Sequence, residues 1–82
     1  MNAHLLTLTI ASVAKPIFKG AVRSVTLPGA EGDVTIMANH EAFVTILKAG
    51  KIIVREEDGS LQEFPIEHGA LEVADNHATV LL

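Results

Sequence analysis

Cysteine, tryptophan and tyrosine are all absent from this 82-residue chain, and aromatic residues of any kind make up only 4% of it. Without cysteine there can be no disulfide staple, thiolate nucleophile, thiolate zinc site or iron–sulfur cluster. With so few rings, Val, Ile, Leu and Ala must build the core, from a chain that is 49% apolar. Positive charge is scarce as well: six Lys and Arg against ten Asp and Glu give a net charge of −4. That sign opposes binding by phosphate neutralisation and argues against a nucleic-acid partner. Apolar runs are short, as in Ile52-Ile53-Val54, against the roughly 20 residues a bilayer-spanning helix needs, so no direct lipid insertion is expected. Met1-Asn2-Ala3-His4 has neither the charged start nor the apolar stretch of a secretory leader, which points to the cytoplasm.

One domain, residues 1–82, is all this length allows, since domains usually take roughly 100 to 200 residues. Turn formers recur along it: Lys15-Pro16, Gly20, Pro28-Gly29, Gly32, Asn39, Gly50, Asp58-Gly59, Gly69 and Asp75-Asn76. The stretches between them are rich in β-branched residues, and short strands with turns every 8 to 12 residues or so read as an all-β sandwich or barrel. Leu6, Leu8 and Ile10 alternate with Leu5, Thr7 and Thr9, giving the first strand one firmly apolar face. Val22 is out of phase with Val25 and Leu27, which predicts a bulge near Arg23-Ser24 that swings the strand from one sheet toward another. Leu61 against Phe64 and Ile66 suggests the same slip. Asp58-Gly59 predicts a hairpin with a tight two-residue turn, and Leu71, Val73, Ala78, Val80 and Leu82 bracket Asp75-Asn76 as a closing hairpin. Residues 41–48 place Phe43, Ile46 and Leu47 at helical spacing, but the segment is short and Val44-Thr45-Ile46 favours strand.

Little here points to bond chemistry. His4, His40, His68 and His77 form no H-x-H or H-x-x-x-H pair and read as turn or surface residues, so no metal is expected. Ser12, Ser24 and Ser60 lack a nucleophile-elbow context, and Glu56-Glu57-Asp58 reads as a solvated hairpin tip. Gly29-Ala30-Glu31-Gly32 has no G-K-[ST] behind it, so no nucleotide or other cofactor is implied. What remains is a loop that displays Glu31 and Asp33 on a stiff scaffold, suited to a basic partner surface.

Val22-x-x-Val25-Thr26-Leu27-Pro28-Gly29-Ala30-Glu31-Gly32-Asp33 resembles the first half of the epsilon subunit of F-type ATP synthases. The similarity continues through Ile36, His40, Thr45-x-Leu47-Lys48-x-Gly50, the Asp58-Gly59 hairpin, Gly69-x-Leu71-Glu72-Val73, Asn76 and Thr79-Val80-Leu81. Pro16-x-Phe18-x-Gly20-x-Val22 adds the family's aromatic-x-Gly-x-Val element. This resemblance implies a two-sheet β-sandwich of about ten short strands. It also implies a role without catalysis of its own: a central-stalk rotor subunit that links gamma to the membrane c-ring and couples ion-driven rotation to ATP synthesis or hydrolysis. By the same resemblance, Glu31, Gly32 and Asp33 match the loop facing the c-ring, while Asn39, His40 and Glu41 match the loop facing gamma. The location implied is the cytoplasmic side of the bacterial inner membrane, peripheral and held there through partners.

Two departures from the family pattern stand out. Thr35-Ile36-Met37-Ala38-Asn39-His40-Glu41-Ala42 replaces a common Gly-hydrophobic-hydrophobic-Pro-Gly-His-Ala-Pro, and His68 stands where a second glycine precedes Gly69. The family's C-terminal helical hairpin has no expected counterpart after Leu82. The competing reading is a stand-alone β-sandwich that binds a ligand or an unrelated protein.

Overall fold

Alternating aliphatic side chains give each strand an inner face, and eight strands use it in the computed structural model, which describes residues 4–82. Met1, Asn2 and Ala3, part of the leader argument, lie outside the described residues. In chain order the strands are β1 (Leu6–Ala11), β2 (Pro16–Gly29), β3 (Gly32–Met37), β4 (Phe43–Leu47), β5 (Gly50–Glu56), β6 (Leu61–Ile66), β7 (Gly69–Ala74) and β8 (His77–Leu81). One layer runs β4-β7-β8-β1-β2 and the other β3-β2-β5-β6, so β2 belongs to both. β1 and β8 pair in parallel, and the other pairings among the described residues are antiparallel.

β2 is where sequence phase becomes architecture. Up to Val22 it pairs with β1; from Ser24 onward it pairs with β3 on one side and β5 on the other. The register with β5 shifts between Val22 and Ser24, leaving Arg23 as the extra residue of a bulge. That extra residue reverses the alternation, so Val22, Val25 and Leu27 all point inward and are fully buried. The bulge expected near Arg23-Ser24 is therefore present. Against the expected ten or so short strands, the described residues hold eight, or nine when the 14-residue β2 is counted once in each layer.

The closing hairpin at Asp75-Asn76 is present as expected, whereas the tight turn at Asp58-Gly59 and the slip at Leu61 need correction. Asp75 and Asn76 have φ of 52° and 60°, the paired left-handed geometry of a tight two-residue turn between Ala74 and His77. At Asp58-Gly59 only the glycine is left-handed, with φ of 92°. Its loop holds three residues, 57–59, closed by the Glu56 N–H donating to the Ser60 carbonyl at 2.8 Å and the Gly59 N–H donating to the Glu56 carbonyl at 3.0 Å. The Asp58 carboxylate accepts from both the N–H and the hydroxyl of Ser60, which stabilises this wider turn. Nor does β6 slip: it pairs with β5 in continuous register from Leu61↔Arg55 to Ile66↔Gly50. Leu61 is out of phase because it faces solvent, 55% exposed, on the outer side with Glu63 and Pro65.

Among the described residues the hydrophobic core is made of 15 buried aliphatic residues, among them Leu6, Leu8, Ile10, Val22, Leu27, Ile52, Leu71 and Val80. Phe18 and Phe64 close one margin with an edge-on contact, ring centres 5.8 Å apart. Leu8 is fully buried at the middle of β1. Leu8→Ala should lower the unfolding free energy by about 2–4 kcal/mol, read from the midpoint of chemical denaturation. A loss below about 0.5 kcal/mol, the range of surface changes, would place this face outside the core.

Candidate functional site

The β2–β3 hairpin holds the first group of expected contact residues. Pro28 and Gly29 are buried at its base, while Glu31, Gly32 and Asp33 are exposed. A Cβ on Gly29 would come within 2.6 Å of the Gly32 carbonyl oxygen, so only glycine permits the two strand ends to approach this closely. The hairpin is also tied to β4: the Ala30 N–H donates to the Ile46 carbonyl at 2.8 Å, and the Lys48 N–H donates to the Pro28 carbonyl at 2.9 Å. These are backbone bonds, so the loop keeps its shape whatever side chains it displays.

Beyond that tie, β3 and β4 are edge strands of opposite layers, meeting through β2 only where Gly29 pairs with Leu47. A groove of about 350 Å³ lies there, lined by Glu31, Gly32, Asp33, Val34, Phe43 and Thr45. Its rim is acidic and its wall partly apolar. Among the described residues the ion pair is Lys51 with Glu63 at 3.2 Å, which leaves Glu31 and Asp33 without an internal counter-charge.

The second group sits in the loop between β3 and β4. Asn39 has φ of 64°, and its N–H donates to Asn76 Oδ1 at 2.7 Å. His40 is half-buried: its N–H donates to the Met37 carbonyl at 3.2 Å, its Nδ1 bonds the Glu41 carbonyl at 2.7 Å, and its ring centre lies 5.9 Å from that of Phe43. Asn39 and Glu41 are exposed. The six expected contact residues thus lie in two groups, Gly32 and Asp33 at the start of β3 and Asn39 just past its end, with Asp33 to Met37 spanning about 13 Å.

The remaining candidates stay apart. His4 and His68 are exposed, and His77 Nε2 shares a 3.0 Å hydrogen bond with Thr9 Oγ1 on the outer face. No group of three or more metal-ligating side chains converges among the described residues. The Ser12 hydroxyl donates to the Lys15 carbonyl, and the Ser60 hydroxyl is engaged by Asp58. Among the described residues no polar or charged side chain is buried. A larger, open depression of about 540 Å³ is lined by Ala21, Glu56, Glu57, Asp58 and Ser60. Sequence reasoning treated those acids as a hairpin tip and missed the depression; the signal for it was Arg23, displaced by the bulge, whose Nε donates to the Glu57 carbonyl at 2.8 Å. The sequence marks Asn76 as a turn residue and as part of the family resemblance, with no local signal that its side chain reaches the loop of the second site.

Two exposed loops on a scaffold with an aliphatic core are suited to recognising surfaces. Residues 5–82 match the family described as ATP synthase, Delta/Epsilon chain, beta-sandwich domain. The chain belongs to this family. Over 77 residues it is 38% identical to the ATP synthase epsilon chain of Sulfurimonas denitrificans, covering 94% of this chain and 59% of that one. It is 34% identical over 76 residues to the epsilon chain of Caulobacter vibrioides, covering 93% of this chain and 87% of that one. A chain in a structure of the Euglena gracilis mitochondrial ATP synthase with its c-ring overlays it with a TM-score of 0.88 at 26% identity, over 96% of this chain and 50% of the other. The chain therefore spans about 60% of the Sulfurimonas relative.

Within this member of the delta/epsilon sandwich family, Asp58 is held below the ordinary carboxylate range, first by the Ser60 N–H and then by the Ser60 hydroxyl. A lowered folded value stabilises the hairpin above the unfolded value and loses that contribution as pH falls through the folded one. The stability of the native chain relative to Asp58→Ala should thus be constant near neutrality and shrink below pH of about 3.9 as Asp58 is protonated. Thermal unfolding of both chains across that window measures it; a gap that does not narrow in acid would sever the link to the carboxylate.

Proposed function

We propose that this domain is a rotor adaptor in the central stalk of an F-type ATP synthase, with no catalysis of its own. It joins gamma to the c-ring on the cytoplasmic side of the bacterial inner membrane and couples ion-driven rotation to ATP synthesis or hydrolysis. The observation that carries this reading is the placement of two exposed loops at opposite ends of β3, on a sandwich with an entirely aliphatic interior. An element that transmits torque must resist shear, and close-packed side chains between two sheets have low compressibility. The family match and the overlay on a chain of the c-ring-containing Euglena structure support the assignment.

In this reading, Glu31, Gly32 and Asp33 face the c-ring, and Asn39, His40 and Glu41 face gamma. The ring-side groove suits a long basic side chain. Its methylenes would lie along Val34 and Phe43 while its charged head meets Glu31 and Asp33. A net charge of −4 favours the same partner sign at longer range.

Glu31→Lys together with Asp33→Lys should weaken attachment to the ring at least tenfold at low salt and leave the circular dichroism spectrum unchanged, because both residues are exposed. The difference should narrow as salt rises. Unaltered attachment in the double variant refutes the ring-side assignment. Failure of the native chain to form a stoichiometric complex with gamma refutes the adaptor reading as a whole and favours a separate binding module.

A further inference from the structure

Asn76 occupies the second left-handed position of the β7–β8 turn, with φ of 60°. Its side chain leaves that turn and bridges two other segments. Nδ2 donates to the Leu5 carbonyl at 3.0 Å, just before β1, and Oδ1 accepts the Asn39 N–H at 2.7 Å. The carbonyl of Asn76 also accepts the Thr7 N–H at 3.2 Å. One residue therefore holds together the closing hairpin, the start of β1 and the loop between β3 and β4.

The position makes two chemical demands. A left-handed backbone admits Gly, Asn and Asp with least strain. Bridging a carbonyl on one side and an N–H on the other requires a donor and an acceptor on one short side chain, which at neutral pH only the amide of Asn supplies among those three. The loop it holds has no strand partner of its own: residues 38–42 lie outside the ladders, and their other backbone tie is the 3.2 Å bond from the His40 N–H to the Met37 carbonyl.

We propose that Asn76 is the positioning residue of the loop carrying Asn39, His40 and Glu41, setting it in its binding shape before a partner arrives. This rests on the reading that the loop meets gamma. A loop already ordered loses less conformational freedom on docking, so its partner binds more tightly. Asn76 acts through Asn39 and need not touch the partner.

Two substitutions of the native chain separate positioning from stability. Asn76→Gly keeps the left-handed turn and removes both side-chain bonds. Asn76→Asp keeps an oxygen for the Asn39 N–H, while its second oxygen replaces the donor to Leu5 and repels that carbonyl. Amide hydrogen exchange should accelerate about tenfold at Asn39 in Asn76→Gly, as expected for loss of one hydrogen bond, and stay within about twofold of native in Asn76→Asp. Affinity for purified gamma should follow the same order, falling about tenfold in the glycine variant and being largely retained in the aspartate variant. Asn39 exchange that is unchanged in Asn76→Gly, or equal losses of gamma affinity in both variants, overturns the positioning role. His40→Ala and Glu41→Lys probe the loop directly: gamma binding that survives them refutes the gamma-facing reading, while the exchange measurement still judges the clasp.

Discussion

Every buried side chain among the described residues is aliphatic, and that condition decides where everything else in this small domain can go. An unpaired carboxylate or ammonium moved into such an interior would cost several kcal/mol, a large part of a typical total stability of about 5–15 kcal/mol. Acids, bases and amides are therefore expelled to the outer faces and the loops. The domain has no disulfide to fall back on, since it has no cysteine. Close packing of Leu, Ile and Val across two layers must hold it, and the same packing makes it a stiff body with chemistry only at its ends.

The layers are joined unequally, and the groove is the result. On one side β2 passes continuously from one layer to the other through the bulge at Arg23. On the other, among the described residues, β4 reaches the second layer through the end of β2, at Gly29↔Leu47 and the two backbone bonds beside it. The seam between them stays open above that tie, and the carboxylates of Glu31 and Asp33 stand at its mouth. Acidic groups flanking an apolar wall thus follow from topology.

How much of this could be read beforehand varies with the kind of interaction. Leu6, Leu8 and Ile10, spaced by two, declare an inner face because strand geometry repeats every second residue, and all three are buried. The phase break from Val22 to Val25 marks a bulge for the same reason, since only an extra residue allows both to point inward. Leu61 shows the limit of the argument: a single apolar residue off phase means either a slip or exposure, and one-dimensional periodicity does not distinguish them. At Asp58-Gly59 the dipeptide indicates a hairpin, but the hydrogen bonds from Ser60 to Asp58 choose the longer loop. The clasp of Asn76 lay beyond reach, because it joins residues 37 apart in the chain through a pairing that no local pattern encodes.

The two loops that flank β3 are fixed by different means. At the Glu31 end, backbone bonds to Ile46 and from Lys48 set the loop's shape independently of the residues displayed. At the His40 end, Ala38-Asn39 offers neither a proline to fix φ nor a glycine to take a left-handed backbone freely. Asn39 nonetheless adopts φ of 64°, a conformation asparagine tolerates better than most residues. What holds it is a bond from outside the loop, the Asn39 N–H to Asn76 Oδ1. Shape at this end is then written in a side chain on a neighbouring turn, so the loop can change its surface residues while its conformation answers to one distant amide.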